Sequence, residues 1–350
     1  MREIKFNKAI REATAYCLSE DNMVYVMGLG VPDPKGIFGT TENLLEEFGP
    51  ERVFDMPIIE NGATGIAIGT AIMGMRPIIT HQRVEFAILS MEQIVNQAAK
   101  WHHMTAGQSK IPLVIRMIIG RGWGQGAQHC QSLETWFAHI PGLKVVSPAT
   151  PYDAKGLLIS SIKDNNPVIF FEHRWLHDTF GNVPEESYEI PLGKANILKH
   201  GNDVTLITYS YMTTVSLKAV EILNKMNISV DLIDLRSIKP LDYDTIINSV
   251  QKTKRVIVVD NGWTDFGVSS EIISDIATKL GNQLKANPKK IGIENVPIPS
   301  TRELAKYCYP NLKTIVTSVL ELFDKKVDDA ILPEENGMPD VPNKYFLGPF

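Results

Sequence analysis

Phe54-Asp-Met-Pro-Ile-Ile-Glu-Asn-Gly-Ala-Thr64 places one carboxylate, Glu60, between an apolar segment that is predicted to end a strand and a helix rich in glycine and alanine. The flanking residues 56–59 are apolar, and such surroundings disfavour the charged form of a carboxyl group. Two interpretations are open at this point. Glu60 could act on a ligand that binds against it, or it could cap the following helix, whose free amides and dipole favour an anion.

Segments on either side of this stretch alternate between short β-branched runs and helical periodicity, which predicts α/β domains with parallel sheets. We predict a first domain over residues 1–185, a linker over 186–201 and a smaller α/β domain over 202–326. Among their elements we expect a long helix over residues 90–103, a strand over 204–208 and a helix over 269–280. Residues 327–350 contain four prolines, several acidic residues and an apolar end. Such a tail cannot form its own core, so it is predicted to be disordered or to lie as an extended arm on another surface, which the apolar end favours.

The composition excludes several classes of protein. The 350 residues include 35 basic and 40 acidic side chains without a basic tract, so we expect neither a nucleic-acid surface nor a membrane-binding face. No segment reaches the roughly 18 consecutive apolar residues of a membrane-spanning helix. Three widely spaced cysteines favour a reducing compartment over secretion, and we expect a cytoplasmic protein.

Polar residues follow two of the predicted strands. His81-Gln-Arg83 ends one of them, and Arg83 could bind an anion through two parallel hydrogen bonds, although a surface turn is the alternative. Gly120-Arg-Gly-Trp-Gly-Gln-Gly126 follows another, but its glycine spacing differs from the dinucleotide fingerprint, so a loop at the rim of a site is favoured over nicotinamide binding. His129 comes next and suits proton transfer, although a structural histidine is equally compatible with the sequence.

Several segments occur together in a fixed order: Met56-Pro-Ile-Ile-Glu-Asn-Gly62, Met91-Glu-Gln-Ile-Val-Asn-Gln-Ala-Ala-Lys100, Ala127-Gln-His-Cys-Gln131, Pro141-Gly-Leu-Lys-Val-Val-Ser-Pro148, Asp153-Ala-Lys-Gly-Leu157, Asp164-Asn-Asn-Pro167 and Asp234-Leu-Arg-Ser-Ile-Lys-Pro-Leu-Asp242. Over about residues 3–325 the chain thereby resembles the beta subunit of the thiamin diphosphate-dependent component of 2-oxo acid dehydrogenases, in the transketolase-like superfamily. The resemblance implies a pyrimidine-binding domain followed by a transketolase C-terminal-like domain.

The resemblance also implies roles for individual residues. Glu60 would hydrogen-bond a ring nitrogen of the cofactor's aminopyrimidine and so activate it, Phe86 would stack on that ring, and Ile58 and Leu89 would make lesser contacts. His129 would assist proton transfer, or acyl transfer to the lipoyl group of an acyltransferase. Relatives often carry a potassium site built mostly from backbone carbonyls, and the matching positions are Leu113, Ser161, Ile162, Asp164 and Asn166.

The chain lacks the Gly-Asp-Gly segment through which such enzymes hold magnesium and the diphosphate. The resemblance therefore implies an alpha subunit that supplies this half of the site in an α2β2 heterotetramer, and a beta chain that is inactive alone.

The segment Thr80-His-Gln-Arg-Val-Glu85 departs from pyruvate-type relatives, so substrate choice could differ, with His81 and Arg83 as candidate substrate contacts. A split transketolase-like or acyloin-forming carboligase with the same cofactor is one alternative. A non-catalytic structural subunit is another.

Overall fold

A computed structural model of the chain describes residues 1–121, 124–326 and 341. Its two main sheets have seven and five strands, and most neighbouring strands within them run parallel. The predicted α/β fold class is therefore confirmed. The predicted arm lies outside the described residues, apart from Val341.

The N-terminal region holds the strands β1 (Arg2–Lys5), β2 (Val24–Gly28), β3 (Val53–Phe54), β4 (Arg76–His81), β5 (Val114–Ile119), β6 (Lys144–Val146), β7 (Val168–His173) and β8 (Phe180–Val183). Its helical segments are α1 (Phe6–Glu20), a single turn α2 (Gly36–Gly39), α3 (Leu44–Phe48), α4 (Glu60–Ile72), α5 (Val84–Ala87), α6 (Ala99–Met104), α7 (Glu134–Ala138) and α8 (Pro151–Lys163). Strands β1 and β8 form a separate antiparallel pair.

The C-terminal region holds the strands β9 (Asn196–Lys199), β10 (Val204–Thr208), β11 (Val230–Asp234), β12 (Ser237–Lys239), β13 (Val256–Trp263) and β14 (Lys289–Ile293). Its helices are α9 (Tyr211–Lys225), α10 (Tyr243–Thr253), α11 (Val268–Leu280), α12 (Arg302–Cys308) and α13 (Leu312–Glu321). The second sheet has the order β14-β13-β10-β11-β9, in which β9 is antiparallel to β11.

Both faces of the first sheet are covered, because every residue of β2, β5 and β7 is buried. Ile79, Ile115 and Met117 share one apolar core with the alanines of α4, whereas Ile78 and Ile118 face α1 and α8. Parallel pairing of β2, β4, β5 and β7 aligns their carboxyl ends at one edge of the sheet. Ligands bind at this edge in open α/β sheets, so polar residues that follow these strands are candidates for a site.

Three features differ from the sequence-based expectations. The strand before Glu60 is only β3, which ends at Phe54, because it pairs with β2 at two positions and Pro57 lacks an amide hydrogen. The single long helix expected over residues 90–103 consists of a 3₁₀ turn, a π-helical segment Gln93–Ala98 and α6. Strand β12 lies in sequence between β11 and β13 of the second sheet, yet it pairs with β6 at the edge of the first.

In the described part of the chain, each helix is too short or too polar to cross a membrane.

Candidate active site

Glu60 is the first residue of α4 and its side chain is buried, with 6% exposed. The N-cap position belongs to Ile59, and no side-chain capping bond forms there. Within the described residues, no donor forms a hydrogen bond with the Glu60 carboxylate, so the capping interpretation gains no support. The apolar neighbours also lie differently from the expectation, since Ile58 is 74% exposed and Ile59 is 48% exposed. They form an apolar surface beside the carboxylate instead of enclosing it.

Phe86 and His129, which lie 43 positions apart in sequence, come into contact at the carboxyl edge of the first sheet. Their ring centroids are 5.6 Å apart with the planes inclined at 60°. The buried Nδ1 atom of His129 has no hydrogen-bond partner among the described residues. Thr64 on α4 donates to Ser90 Oγ at 3.0 Å, which ties the helix that begins with Glu60 to the turn after Phe86. Leu89, in that turn, is 63% exposed.

His81 and Arg83 are both buried at the end of β4. Burial lowers the pKa of His81 to about 4, so its ring is neutral at pH 7, and neither ring nitrogen has a described partner. Arg83 donates from Nη2 to the side-chain oxygen of Gln125, whereas its Nη1 has no described partner. The alternative interpretation of these residues as a surface turn therefore does not hold, because both are buried.

Glu85 and Gln125 belong to the same cluster, and the sequence reasoning missed them both. Glu85 Oε1 accepts a hydrogen bond from the Gln131 amide at 2.8 Å, while Oε2 has no described partner. Burial raises the pKa of Glu85, against the opposing effects of backbone amides and of Arg83. Glu85 lies in the quoted polar segment and could have been found there. Gln125 had no signal beyond its place in the glycine-rich loop.

Further basic groups lie at the same edge of the sheet. The Arg121 guanidinium lies 4.5 Å from the ring centroid of Trp175 and 3.9 Å from that of Tyr309, which belongs to the C-terminal region. His173 stacks on Tyr211 at 4.9 Å. Burial, together with the positive charges of Arg121 and Arg83, holds the pKa of His173 well below its usual range.

The five positions of the predicted potassium site lie around the end of α8 and the start of β5. The carbonyls of Ile162 and Asp164 already accept hydrogen bonds from the Arg76 guanidinium at 3.0 and 3.1 Å, and the carbonyl of Leu113 accepts from the Val168 amide. The carbonyl of Ser161 accepts from the Asp164 amide, and Asn166 donates to the Asp164 carboxylate. A thermal midpoint that rises in potassium but not in sodium would support this site, which stays a prediction.

Comparison with known families identifies both regions of the chain. Residues 2–178 match the family described as transketolase, pyrimidine binding domain, and residues 193–315 match the transketolase C-terminal domain. The beta subunit of the pyruvate dehydrogenase E1 component from Rickettsia felis is 40% identical over 317 residues, which cover 91% of this chain and 97% of that protein. The chain belongs to the E1 beta subunit family.

Other members and a more distant structure extend the comparison. The mitochondrial pyruvate dehydrogenase E1 subunit beta-1 of Arabidopsis thaliana is 39% identical, covering 90% of this chain and 88% of that protein. The beta subunit of acetoin:2,6-dichlorophenolindophenol oxidoreductase from Cupriavidus necator is 38% identical, with 91% and 96% covered. A split-gene transketolase, described as an inactive beta4 tetramer, shares the fold with a TM-score of 0.76 at 22% identity, over 93% of this chain and 100% of that one.

Membership of the E1 beta family confirms the family resemblance that the sequence motifs indicated. It makes the chain a beta subunit of a thiamin diphosphate-dependent enzyme of the 2-oxo acid dehydrogenase type. The roles of Glu60, Phe86, His129 and the other site residues stay predictions.

Proposed function

We propose that the chain binds the aminopyrimidine end of thiamin diphosphate and, with an alpha subunit, decarboxylates a 2-oxo acid and passes on the remaining acyl unit. This proposal rests on Glu60 at the start of α4. The residue is buried, and its carboxylate accepts no hydrogen bond from the described residues. A carboxylate that the described donors leave free at a mostly buried position can accept a hydrogen bond from a ligand that reaches it.

The residues around Glu60 suit a flat, weakly basic heteroaromatic ring. The Glu60 carboxyl group can share a proton with a ring nitrogen, and Phe86 offers an aromatic face. The exposed Ile58 and Leu89 add apolar contact area. Thiamin diphosphate bound there would supply the carbanion chemistry that decarboxylation of a 2-oxo acid requires. His129 lies against Phe86 and can hold or deliver a proton there, including during transfer of the acyl unit to a lipoyl acyltransferase.

An alpha subunit is the proposed occupant of the exposed surface of α4. Gly62, Ile66, Gly69 and Met73 follow one another at helical spacing, with 59% of Ile66 and 81% of Met73 exposed. A Cβ atom added at Gly69 would meet nothing within 4 Å, so a partner helix can approach the α4 backbone closely. Because this sequence lacks Gly-Asp-Gly, we propose that the alpha subunit holds magnesium and the diphosphate in an α2β2 assembly.

Glu60→Gln tests the catalytic role in the complex reconstituted with the alpha subunit, thiamin diphosphate and magnesium. We expect decarboxylation of 2-oxo acids to fall by about 10²- to 10⁴-fold, the usual contribution of a positioned acid or base. Glu51→Gln, a change at an exposed carboxylate, serves as the control. Undiminished turnover in an intact Glu60→Gln complex would refute the role of Glu60.

Ile66→Asp tests the partner surface. Co-expression with the alpha subunit, followed by measurement of mass in solution, should show loss of the heterotetramer for this variant. Leu304→Asp is the matched control, since Leu304 is 57% exposed on α12 and Ile66 is 59% exposed on α4. If both variants assemble normally, the alpha subunit binds elsewhere.

An acyloin-type carboligase is the second candidate, because the acetoin:2,6-dichlorophenolindophenol oxidoreductase beta subunit is 38% identical along almost its whole length. Transfer of the acyl unit to a lipoyl acceptor supports the dehydrogenase, whereas carbon–carbon bond formation with an aldehyde acceptor, without transfer to a lipoyl group, supports the carboligase. We place the enzyme in the cytoplasm, where Cys17, Cys130 and Cys308 would stay reduced.

A further inference from the structure

Arg83 is a buried cation without an anionic partner. Only 5% of the residue is exposed, and among the described residues its guanidinium donates a hydrogen bond to the neutral side-chain oxygen of Gln125. In the described part of the chain, no carboxylate lies within the 4.0 Å of an ion pair. The other deeply buried arginines differ in this respect, because Arg116 pairs with Glu172 and Arg174 lies 3.6 Å from Asp178.

The surroundings of Arg83 do not compensate its charge. Burial lowers the pKa of the Arg83 guanidinium, and Glu85 opposes this effect only partly. The positive charge of Arg121 lies in the same neighbourhood, since Arg121 and Arg83 both act on His173. Removing an ion from water without a partner is unfavourable, so an anionic ligand that pairs with Arg83 would stabilise the folded chain.

The position of Arg83 connects this charge with the proposed active site. Arg83 is the N-cap residue of α5, three residues before Phe86. Its partner Gln125 is four residues before His129, whose ring contacts Phe86. A ligand that displaces the Gln125 amide from the guanidinium would therefore lie between α5, which holds Phe86, and the loop that leads to His129.

The carboxylate beside the oxo group is a poor candidate for this anion. That group leaves as carbon dioxide, and the electron pair of the broken bond stays with the rest of the substrate. A guanidinium paired with it would stabilise a negative charge that is lost in the transition state, which would slow the reaction. An anionic group that the molecule keeps throughout the reaction avoids this penalty.

We propose that Arg83 recognises a second, distal anionic group, a carboxylate or a phosphate, on the 2-oxo acid or on the acceptor. The proposal rests on the proposed function and names its substrate class. Arg83 is then a specificity-determining residue, which distinguishes this chain's substrate from short uncharged-tail 2-oxo acids such as pyruvate.

Steady-state kinetics of the reconstituted complex tests the proposal with matched pairs. 2-Oxoglutarate is compared with 2-oxopentanoate, and glyceraldehyde 3-phosphate is compared with glyceraldehyde as acceptor, so that the two arms separate a carboxylate from a phosphate. We expect one dianionic member to have at least a tenfold higher kcat/KM than its counterpart. Arg83→Gln should remove this preference mainly through KM, and Arg83→Lys should restore part of it.

Arg11→Gln is the control, because Arg11 pairs with Glu47 at the surface. Equal losses for both members of a pair in Arg83→Gln would overturn the proposal and leave Arg83 as a positioning residue for the loop through Gln125. A wild-type complex without any preference for the dianionic members would also overturn it.

Direct binding separates this inference from the proposed function. Isothermal titration of the wild-type and Arg83→Gln complexes with glutarate, pentanoate and inorganic phosphate requires no turnover. Arg83-dependent binding of glutarate or phosphate without decarboxylation of any 2-oxo acid would refute the proposed function and support the anion site. Decarboxylation without Arg83-dependent binding would refute the anion site alone.

Discussion

Glu134 gives the sharpest test of how the two regions pack, because it is a buried acid at their boundary. It begins α7 in the N-terminal region, is 1% exposed, and its Oε1 has no described partner. Burial raises the pKa of Glu134 to about 8, and the negative charge of Asp260 on β13 adds to this effect. Asp260 itself accepts hydrogen bonds from the Tyr209 hydroxyl at 2.5 Å and from the Ser269 amide at 2.9 Å.

Glu134→Gln removes the titration and keeps the shape of the side chain. The pKa in the folded chain, about 8, exceeds its ordinary value of 4.5, so the folded state binds the proton more tightly than the unfolded chain does. The contribution of Glu134 to stability is therefore full below pH 4.5 and is lost progressively as the pH rises to 8. The whole loss amounts to about 5 kcal/mol, from 1.36 kcal/mol for each tenfold difference in proton affinity.

Guanidinium unfolding of the wild-type chain and the Glu134→Gln variant at pH 5, 6.5, 8 and 9 measures this effect. The variant should gain in midpoint relative to the wild type as the pH rises, with most of the gain reached by pH 8. Glu46→Gln, which changes an exposed carboxylate, should follow the wild type. A difference between Glu134→Gln and wild type that does not change with pH would refute the reasoning.

Two further changes test the packing of the first sheet. Burial opposes ionisation of Glu172, but Arg116 and His177 outweigh this effect and lower the pKa of Glu172 to about 2. Glu172→Gln removes the charge that pairs with the buried Arg116. Thermal or denaturant unfolding should therefore show a loss of about 3–5 kcal/mol. In Gly142→Ala the new Cβ would lie 1.9 Å from the carbonyl oxygen of Ala99. Gly74→Ala is the control, because its φ is also near +100° but nothing lies within 4 Å of the new Cβ. The free energy of unfolding should fall by at least about 2 kcal/mol more in Gly142→Ala than in this control.

Sequence patterns predicted most elements of the fold because buried parallel strands are short apolar runs between amphipathic helices. The strand expected over residues 204–208 is β10 without change, and the helix expected over 269–280 differs from α11 by one residue. Local composition determines such segments. The element boundaries and strand pairings that the sequence did not predict depend on contacts with residues that are distant in sequence.

Strand β12 and the π-helical segment show this limit. Ser237–Lys239 lies in a motif that the sequence reasoning recognised, yet its pairing with β6 depends on how the two regions meet. The segment Gln93–Ala98 has the apolar spacing of an ordinary helix, but in the fold it forms a wider π-helical turn that packs against α4. Neither feature has a local sequence signal that separates it from the simpler expectation.

The candidate site divides in the same way. Glu60, Phe86 and His129 could be selected from the sequence because each lies at a junction between elements or in a recognisable segment. The lack of an anionic partner for Arg83 could not be predicted from the sequence, because Glu85, two residues later, suggests an ion pair. Residues two apart in a helical turn do not face each other, and the Glu85 carboxylate instead accepts a hydrogen bond from the Gln131 amide. The positive charge of Arg83 is therefore available to an anionic ligand. This inference depends on the contact between Glu85 and Gln131, which are distant in sequence, and not on the local sequence after β4.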